Sequence, residues 1–172
     1  VGLYAEHQRI HGGTEAEMYN QVLEAWIGGQ ATSEAVMVTQ TNDQASALAR
    51  AAREHLIGAG TVNTNRQVAL RDGNEAGTGD VIRTRRNNRE ITAGQRGFVR
   101  NRDTWTVQRI HRDGSLTVKS QNGGAKAKLP RTYVDAHVEL AYAGTAHAVQ
   151  GRTVDAAHLL CNPNVSREAL YV

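Results

Sequence analysis

EAVMVTQTNDQASALARAA, residues 34–52, joins an apolar run to a helical pattern through a polar turn. Ala35-Val36-Met37-Val38 is short, apolar and bounded by polar residues, as a buried strand of a parallel sheet requires. Thr41-Asn42-Asp43-Gln44 then supplies a helix cap, and Ala45, Leu48, Ala49, Ala52 and Leu56 mark one helical face that ends near Gly58-Ala59-Gly60. Strand, polar turn and helix together form the working edge of an α/β domain, where ligands meet strand C-termini and helix N-termini. Upstream, Thr14 and Glu17 have capping-box spacing. Met18, Val22, Ala25 and Trp26 recur behind them at helical spacing until Gly28-Gly29 release the chain.

From about Asn63 the period changes to alternating. Gln67–Leu70, Asp80–Arg83, Thr104–Val107 and Ser115–Val118 read as short strands, with Arg112-Asp113-Gly114 as the clearest hairpin turn. Short strands punctuated by turn signals indicate a small β-barrel. After Leu129-Pro130 the pattern returns to α/β: a strand at Val138–Ala141, a turn or short helix through His147 to Gln150, and a strand at Ala156–Leu160. The expectation is one α/β domain interrupted by a barrel, with no internal repeat.

The chain has 172 residues, 40% hydrophobic and 22% charged, enough for a real core. A mean hydropathy of -0.51 and no apolar run near the roughly 20 residues of a membrane span exclude a helical membrane protein, and the composition is neither collagen-like nor disordered. Cys161 is the single cysteine, so no internal disulfide forms, and with no signal-peptide pattern the expected compartment is cytoplasmic, without a membrane partner. Starting at Val1 without Met and ending at Tyr171-Val172, the sequence reads as a piece of a longer chain.

Charge is distributed unevenly. Residues 1–80 carry 5 Arg and no Lys against 10 acids, residues 81–131 carry 13 basic residues against 3 acids, and residues 132–172 carry 2 against 4. A basic centre between acidic flanks needs a polyanion or the fold's own acids to compensate it, which makes nucleic acid the natural partner. The alternative is a solvated Arg-rich surface.

The motif search is first a set of exclusions. The only lysines are Lys119, Lys126 and Lys128, none in a G-x-x-x-x-G-K-[ST] context, so these residues build no complete P-loop. A zinc-type Cys pair, an H-E-x-x-H and a nucleophile elbow are also missing from the sequence. His7 and His11 lie four apart but have no third ligand, and no metal site is expected. Gly77-Thr78-Gly79 signals a turn. AYAGTAHAVQGRTVD, residues 141–155, leads a strand into Thr-x-His-x-x-Gln-Gly and gathers a hydroxyl, an imidazole, an amide and bare backbone, groups suited to phosphate and ribose contacts. Alternatively, His147 and Gln150 satisfy backbone at a buried strand end.

That same string resembles motif V, with its Gln-Gly extension, of superfamily 1 helicases, most of all the RecD-like branch. EAVMVTQTNDQASALARAA is similar to the motif IV strand and following helix of that branch. GDVIRTRRNNRE, GFVRNRDTWTVQRIHRDGSLTV and LPRTYVDAHVELAYAGTAH resemble its SH3-like insertion, particularly in the helicase module of actinobacterial conjugative relaxases. SREALYV, residues 166–172, looks like the approach to motif VI.

The resemblance implies an incomplete RecA-like second motor lobe, residues 1–62 and 138–172, interrupted by an SH3-like β-barrel at 63–137. It implies single-stranded DNA contacts at Thr145 and His147, and at Gln40, Thr41 and Asn42 around a helix N-terminus. Gln150, Gly151 and Thr153 match the side that faces ATP. In the barrel the expected strand contacts are Arg83, Arg85, Arg86, Asn87, Arg100 and Asn101. Trp105 could stack on a base, although a Trp in an alternating strand belongs first to the core.

By the same resemblance the parent is an ATP-dependent DNA helicase of 5′-to-3′ direction, using ATP and Mg across two lobes, with the missing first motor lobe as a partner within the chain. These residues hold neither the phosphate loop nor the motif VI arginine, so alone they are expected to be inactive as an ATPase, to carry no catalytic residue and to need no cofactor. The alternative is a non-enzymatic nucleic-acid-binding module with a basic β-barrel. A peptide-binding SH3-type barrel is a third reading, weakened because only Trp105, Phe98 and Tyr133 could line a groove.

Overall fold

The computed structural model describes residues 10–29, 35–150 and 153–161. Two compact units divide the chain: residues 1–48 with 144–172, and residues 49–143. The architecture is mixed α/β, with a small sheet containing a parallel pair in the first unit and a curled antiparallel half-barrel in the second.

In the first unit α1 (Glu15–Gly29) opens on the expected capping box. Thr14 N donates to Glu17 Oε2 at 2.8 Å, and Glu17 N donates to Thr14 Oγ1 at 3.3 Å. Trp26 is its buried anchor and donates from Nε1 to Ala35 O at 3.2 Å. That carbonyl opens β1 (Ala35–Thr39), buried along its whole length as the apolar run predicts. β1 pairs in parallel with β12 (Ala156–Leu159), Ala35 opposite Ala156 and Val38 opposite Leu159. On the other side of β1 lies β11 (Ala143–Thr145), giving the order β11-β1-β12. A buried strand paired on both sides requires the β-branched and apolar residues found at 35–39.

Helix α2 (Asn42–Gly58) begins three residues after β1. Thr41 and Gln44 form a second reciprocal cap: Gln44 N donates to Thr41 Oγ1 at 3.2 Å and Thr41 N donates to Gln44 Oε1 at 3.3 Å. Ala45, Leu48, Ala49 and Ala52 are buried, as the helical spacing requires.

The second unit holds a two-stranded ribbon, β2 (Asn63–Ala69) with β3 (Glu75–Thr78). Its larger sheet runs, in spatial order, β10 (Val138–Leu140), β4 (Val81–Thr84), β7 (Thr104–Ile110), β8 (Leu116–Ser120), β9 (Lys126–Leu129), β5 (Asn88–Ala93) and β6 (Gly97–Val99). The concave core is built from Ile82, Val99, Trp105, Val107, Leu116, Val118 and Leu129, each under 2% exposed. Trp105 is thus core, and its Nε1 donates to Thr84 Oγ1 at 3.4 Å. The Arg112-Asp113-Gly114 turn joins β7 to β8, with Gly114 at φ +76° and Asp113 Oδ1 accepting from Ser115 N and Oγ.

Three elements differ from the sequence expectation. The strand at 138–141 was expected on the α/β side, but β10 pairs antiparallel with β4, Glu139 opposite Arg83, and so belongs to the half-barrel. Charge complementarity across that pair decides the partner, which alternation alone does not encode. Helix α3 (Arg131–His137) was not anticipated: seven residues are too few for a helical period, and Pro130 O receives both Tyr133 N and Val134 N at 3.0 Å. Gly77-Thr78-Gly79 is more than a turn. A Cβ on Gly77 would stand 2.3 Å from Asn63 O, and one on Gly79, at φ +98°, would stand 2.4 Å from Thr61 O.

A buried polar knot lies behind these glycines. Asp80 Oδ2 accepts from Arg53 Nε at 2.8 Å and from Gly77 N at 2.6 Å, while Oδ1 accepts from Tyr142 Oη at 2.8 Å. Three donors, one of them a guanidinium, thus reach the carboxylate and both of its oxygens are hydrogen-bonded, the condition under which a buried charge is tolerated. Burial, then the adjacent Asp80 charge, drives the Tyr142 hydroxyl far above the ordinary tyrosine value, so it stays a donor.

Candidate nucleic-acid interface

The second unit carries an open cleft of about 490 Å³. One wall is the approach to β5 and its first residues: Arg86, Asn87, Asn88, Arg89 and Glu90. The other is α3, through Thr132, Tyr133 and His137. Tyr133 is 5% exposed and its hydroxyl donates to Arg86 O, fixing one wall to the other. Its hydroxyl is raised above the ordinary tyrosine value, first by burial. The His137 ring stands edge-on to Tyr133, centroids 5.2 Å apart.

The basic groups here differ in how they are compensated. Arg71, Arg83 and Arg85 all reach one carboxylate: Glu139 accepts from Arg83 Nη2 at 2.7 Å, Arg85 Nη1 at 3.1 Å and Arg71 Nη1 at 3.2 Å. Three guanidiniums on one acid leave net positive charge at this edge. By contrast Arg86 contacts another base, its Nη1 lying 3.4 Å from His137 Nε2. Arg89 and Arg100 stand 5.7 and 5.2 Å from the Phe98 ring centroid. Among the described residues, none of Arg86, Arg89 and Arg100 forms an ion pair with a carboxylate. Unpaired guanidiniums around a polar cleft are the arrangement that captures phosphate.

Of the barrel residues expected at the strand, Arg86 and Asn87 line the cleft. Asn101 N donates to Asn87 Oδ1 at 2.8 Å, and Arg100 N donates to Asp103 Oδ2 at 2.8 Å, so the turn at 100–103 is held to the cleft's rim. Desolvation holds the Asp103 carboxyl above its ordinary range. Arg85 is half-buried and shared with Glu139. Arg83 departs from the expectation: it is 3% exposed, bound to Glu139 and donating to Ala143 O at 3.1 Å, so its guanidinium faces the protein. Strand β4 is buried on both faces from Ile82 to Thr84, so Arg83, on the face opposite Ile82, is covered where alternation alone predicts exposure.

Sequence reasoning missed Asn88, Arg89, Glu90, Thr132 and His137 as cleft residues, and it named Tyr133 only as a groove residue of the peptide-binding reading. The polar run Asn87-Asn88-Arg89-Glu90 was the available signal, but its partner wall is the helix that was not anticipated.

In the first unit, Gln40 is half-buried and Thr41 and Asn42 are exposed at the start of α2. The Thr41 hydroxyl already serves the cap. Thr145 ends β11 and caps α4 (Ala146–Val149) with its backbone alone, leaving its hydroxyl outside the cap. His147 and Gln150 are exposed, as is Thr153. Gly151 and His7 lie outside the described residues, as does 166–172. Among the described residues of this unit, the buried Gln21 Oε1 and His158 Nε2 have no hydrogen-bond partner, and burial lowers the His158 imidazole below its ordinary value.

Among the described residues no group of three or more His, Cys, Asp and Glu converges as a metal site, and no helix is long and apolar enough to cross a membrane. No protein-family model matches the chain. The chain is similar to two uncharacterized proteins of Mycobacterium tuberculosis, from strains CDC 1551 / Oshkosh and ATCC 25618 / H37Rv, each 33% identical over 75 residues. The match covers 43% of this chain and 43% of each relative.

Proposed function

We propose that the chain is part of the second motor lobe of a RecD-like superfamily 1 DNA helicase, with the half-barrel as an SH3-like insertion that grips single-stranded DNA. The observation that carries the reading is the string Ala141–Asp155: its Thr145 sits where a strand passes into a helical turn with its hydroxyl outside the cap, and His147 follows exposed. A parallel β1–β12 pair with a capped helix after β1 supports a RecA-like lobe. The cleft's unpaired arginines support strand contact.

In this reading Thr145, His147 and the α2 start meet the strand, while Gln150, Gly151 and Thr153 face ATP held mainly by a first lobe. These residues contain no phosphate loop, so hydrolysis and 5′-to-3′ stepping belong to a longer protein, which would use ATP and Mg in the cytoplasm. The relaxase connection rests on the barrel strings alone.

A second reading, a non-enzymatic nucleic-acid-binding module, is favoured by one observation: the cleft and its arginines lie wholly within residues 49–143. Fluorescence anisotropy of labelled single-stranded DNA over a salt series, with duplex DNA and single-stranded RNA as competitors, tests both. Salt-sensitive preference for the DNA single strand is expected. Absence of binding at low salt removes the interface from either reading. A non-hydrolysable ATP analogue separates them in a version extended through the first lobe: it shifts strand affinity in a motor and leaves a module unchanged.

A further inference from the structure

We infer that the Arg86–His137 cleft holds one nucleotide of a single DNA strand and reads its base, with guanine the base that fits. The inference rests on the nucleic-acid reading above and goes beyond a sequence-blind electrostatic grip. Arg86 and His137 meet at 3.4 Å, an arrangement in which one guanidinium N–H has only a ring nitrogen to contact. A phosphate oxygen satisfies both groups at once. Tyr133 ties the two walls together beforehand, its hydroxyl on the Arg86 carbonyl and its ring against the His137 ring, so the backbone under Arg86 and the His137 imidazole need little ordering on binding.

The remaining groups are the wrong set for phosphate and the right set for a base edge. Glu90 lines the cleft, and its carboxylate has no hydrogen-bond or ion-pair partner among the described residues, although Arg86 and Arg89 line the same cleft. A carboxylate repels a phosphate and gains only from N–H donors. The side-chain oxygens of Asn87 and Asn88 are occupied by Asn101 N and Glu90 N. Their amide nitrogens are thereby the groups left to offer, two donors beside one acceptor. Guanine alone presents two adjacent N–H donors on its Watson–Crick edge for a carboxylate, with keto and ring-nitrogen acceptors beside them for amides. The cleft volume of about 490 Å³ suits one nucleotide.

The test measures anisotropy of a labelled dT12 strand and of the same strand with one central dG, dA or dC, on this chain at low salt. The dG strand is expected to bind about tenfold tighter than dT12, in line with one good bidentate contact. Glu90→Gln is expected to bring the two within about twofold. Arg86→Ala and His137→Ala are expected to weaken all strands to a similar degree. Arg112→Ala, an exposed arginine of the β7–β8 turn, is expected to keep the dG preference and reports on folding and general charge. Equal affinity of the dG and dT12 strands overturns the inference while leaving strand binding intact, and so does a preference that survives Glu90→Gln. Binding of no strand overturns the underlying nucleic-acid reading itself. Competition by free dGMP at concentrations comparable to the strand overturns the assignment to a strand.

Discussion

Arg53 Nε lies 2.8 Å from Asp80 Oδ2, with side-chain exposures of 10% and 0%, and this pair fastens helix α2 to the turn that opens β4. Gln67 Oε1 accepts from the same guanidinium, and Tyr142 completes the carboxylate. Asp80→Ala leaves a buried guanidinium unmatched and should cost about 3–5 kcal/mol. The double variant Arg53→Met/Asp80→Leu removes both charges and should cost less than Asp80→Ala alone. Urea unfolding followed by tryptophan fluorescence compares them, and a double variant as damaging as the single would contradict the pair's description.

Glu139→Gln offers an effect of opposite sign on two observables. Arg83 loses its carboxylate while buried, so stability should fall by about 3 kcal/mol. Arg71 and Arg85 are released at the same edge, so single-strand affinity should rise severalfold at low salt. Thermal unfolding and anisotropy on one preparation read both.

Strand affinity should fall with salt by a slope of about -0.7 per phosphate neutralised. Arg86→Ala should make the slope shallower by about that amount whatever the base sequence. Arg85→Ala should change it less, because Glu139 already compensates that guanidinium. Equal slopes for Arg86→Ala and the unaltered chain would remove Arg86 from the interface.

The Thr14–Glu17 box sets a pH response. Glu17 sits below the ordinary carboxylate value, chiefly because the Thr14 amide and then its hydroxyl donate to the ionised form. A lowered value in the folded state means stability that is present above the unfolded value and lost as pH falls through the folded one. The Thr14 amide proton shift, followed by NMR, should therefore titrate with a midpoint below that of an unstructured glutamate. Thr14→Ala keeps the amide donor and removes only the hydroxyl, so it should reduce that shift without abolishing it and cost about 1 kcal/mol.

Gly79→Ala places a methyl group 2.4 Å from Thr61 O at φ +98°. Both the clash and the left-handed backbone disfavour it, and a loss of about 2 kcal/mol or more is expected by thermal unfolding. Gly73→Ala, also at positive φ but with nothing within 4 Å of the added atom, should cost less and isolates the steric part.

Much of the local structure was legible because it depends on near neighbours. Both capping boxes, the buried run at 35–38 and the Asp113-Gly114 turn follow from spacing that reaches three or four residues. The concentration of arginines at 81–131 is equally a property of the chain. The cleft was only half legible. Arg86 and Asn87 could be named from a basic run, but Tyr133 and His137 lie some 50 residues further along, on a helix too short to show a period.

By itself, then, the sequence determined where the two long helices begin, which strand is buried and which segment carries the positive charge, since each is set by side chains adjacent along the chain or one turn apart. Tertiary structure alone decided which of those charges face outward. Arg83 and Arg86 stand three residues apart in one basic run, yet the first is buried against Glu139 and the second lines the cleft beside His137. The difference comes from pairing with β10, which brings Glu139 to Arg83 across 56 residues, and no local pattern contains that register.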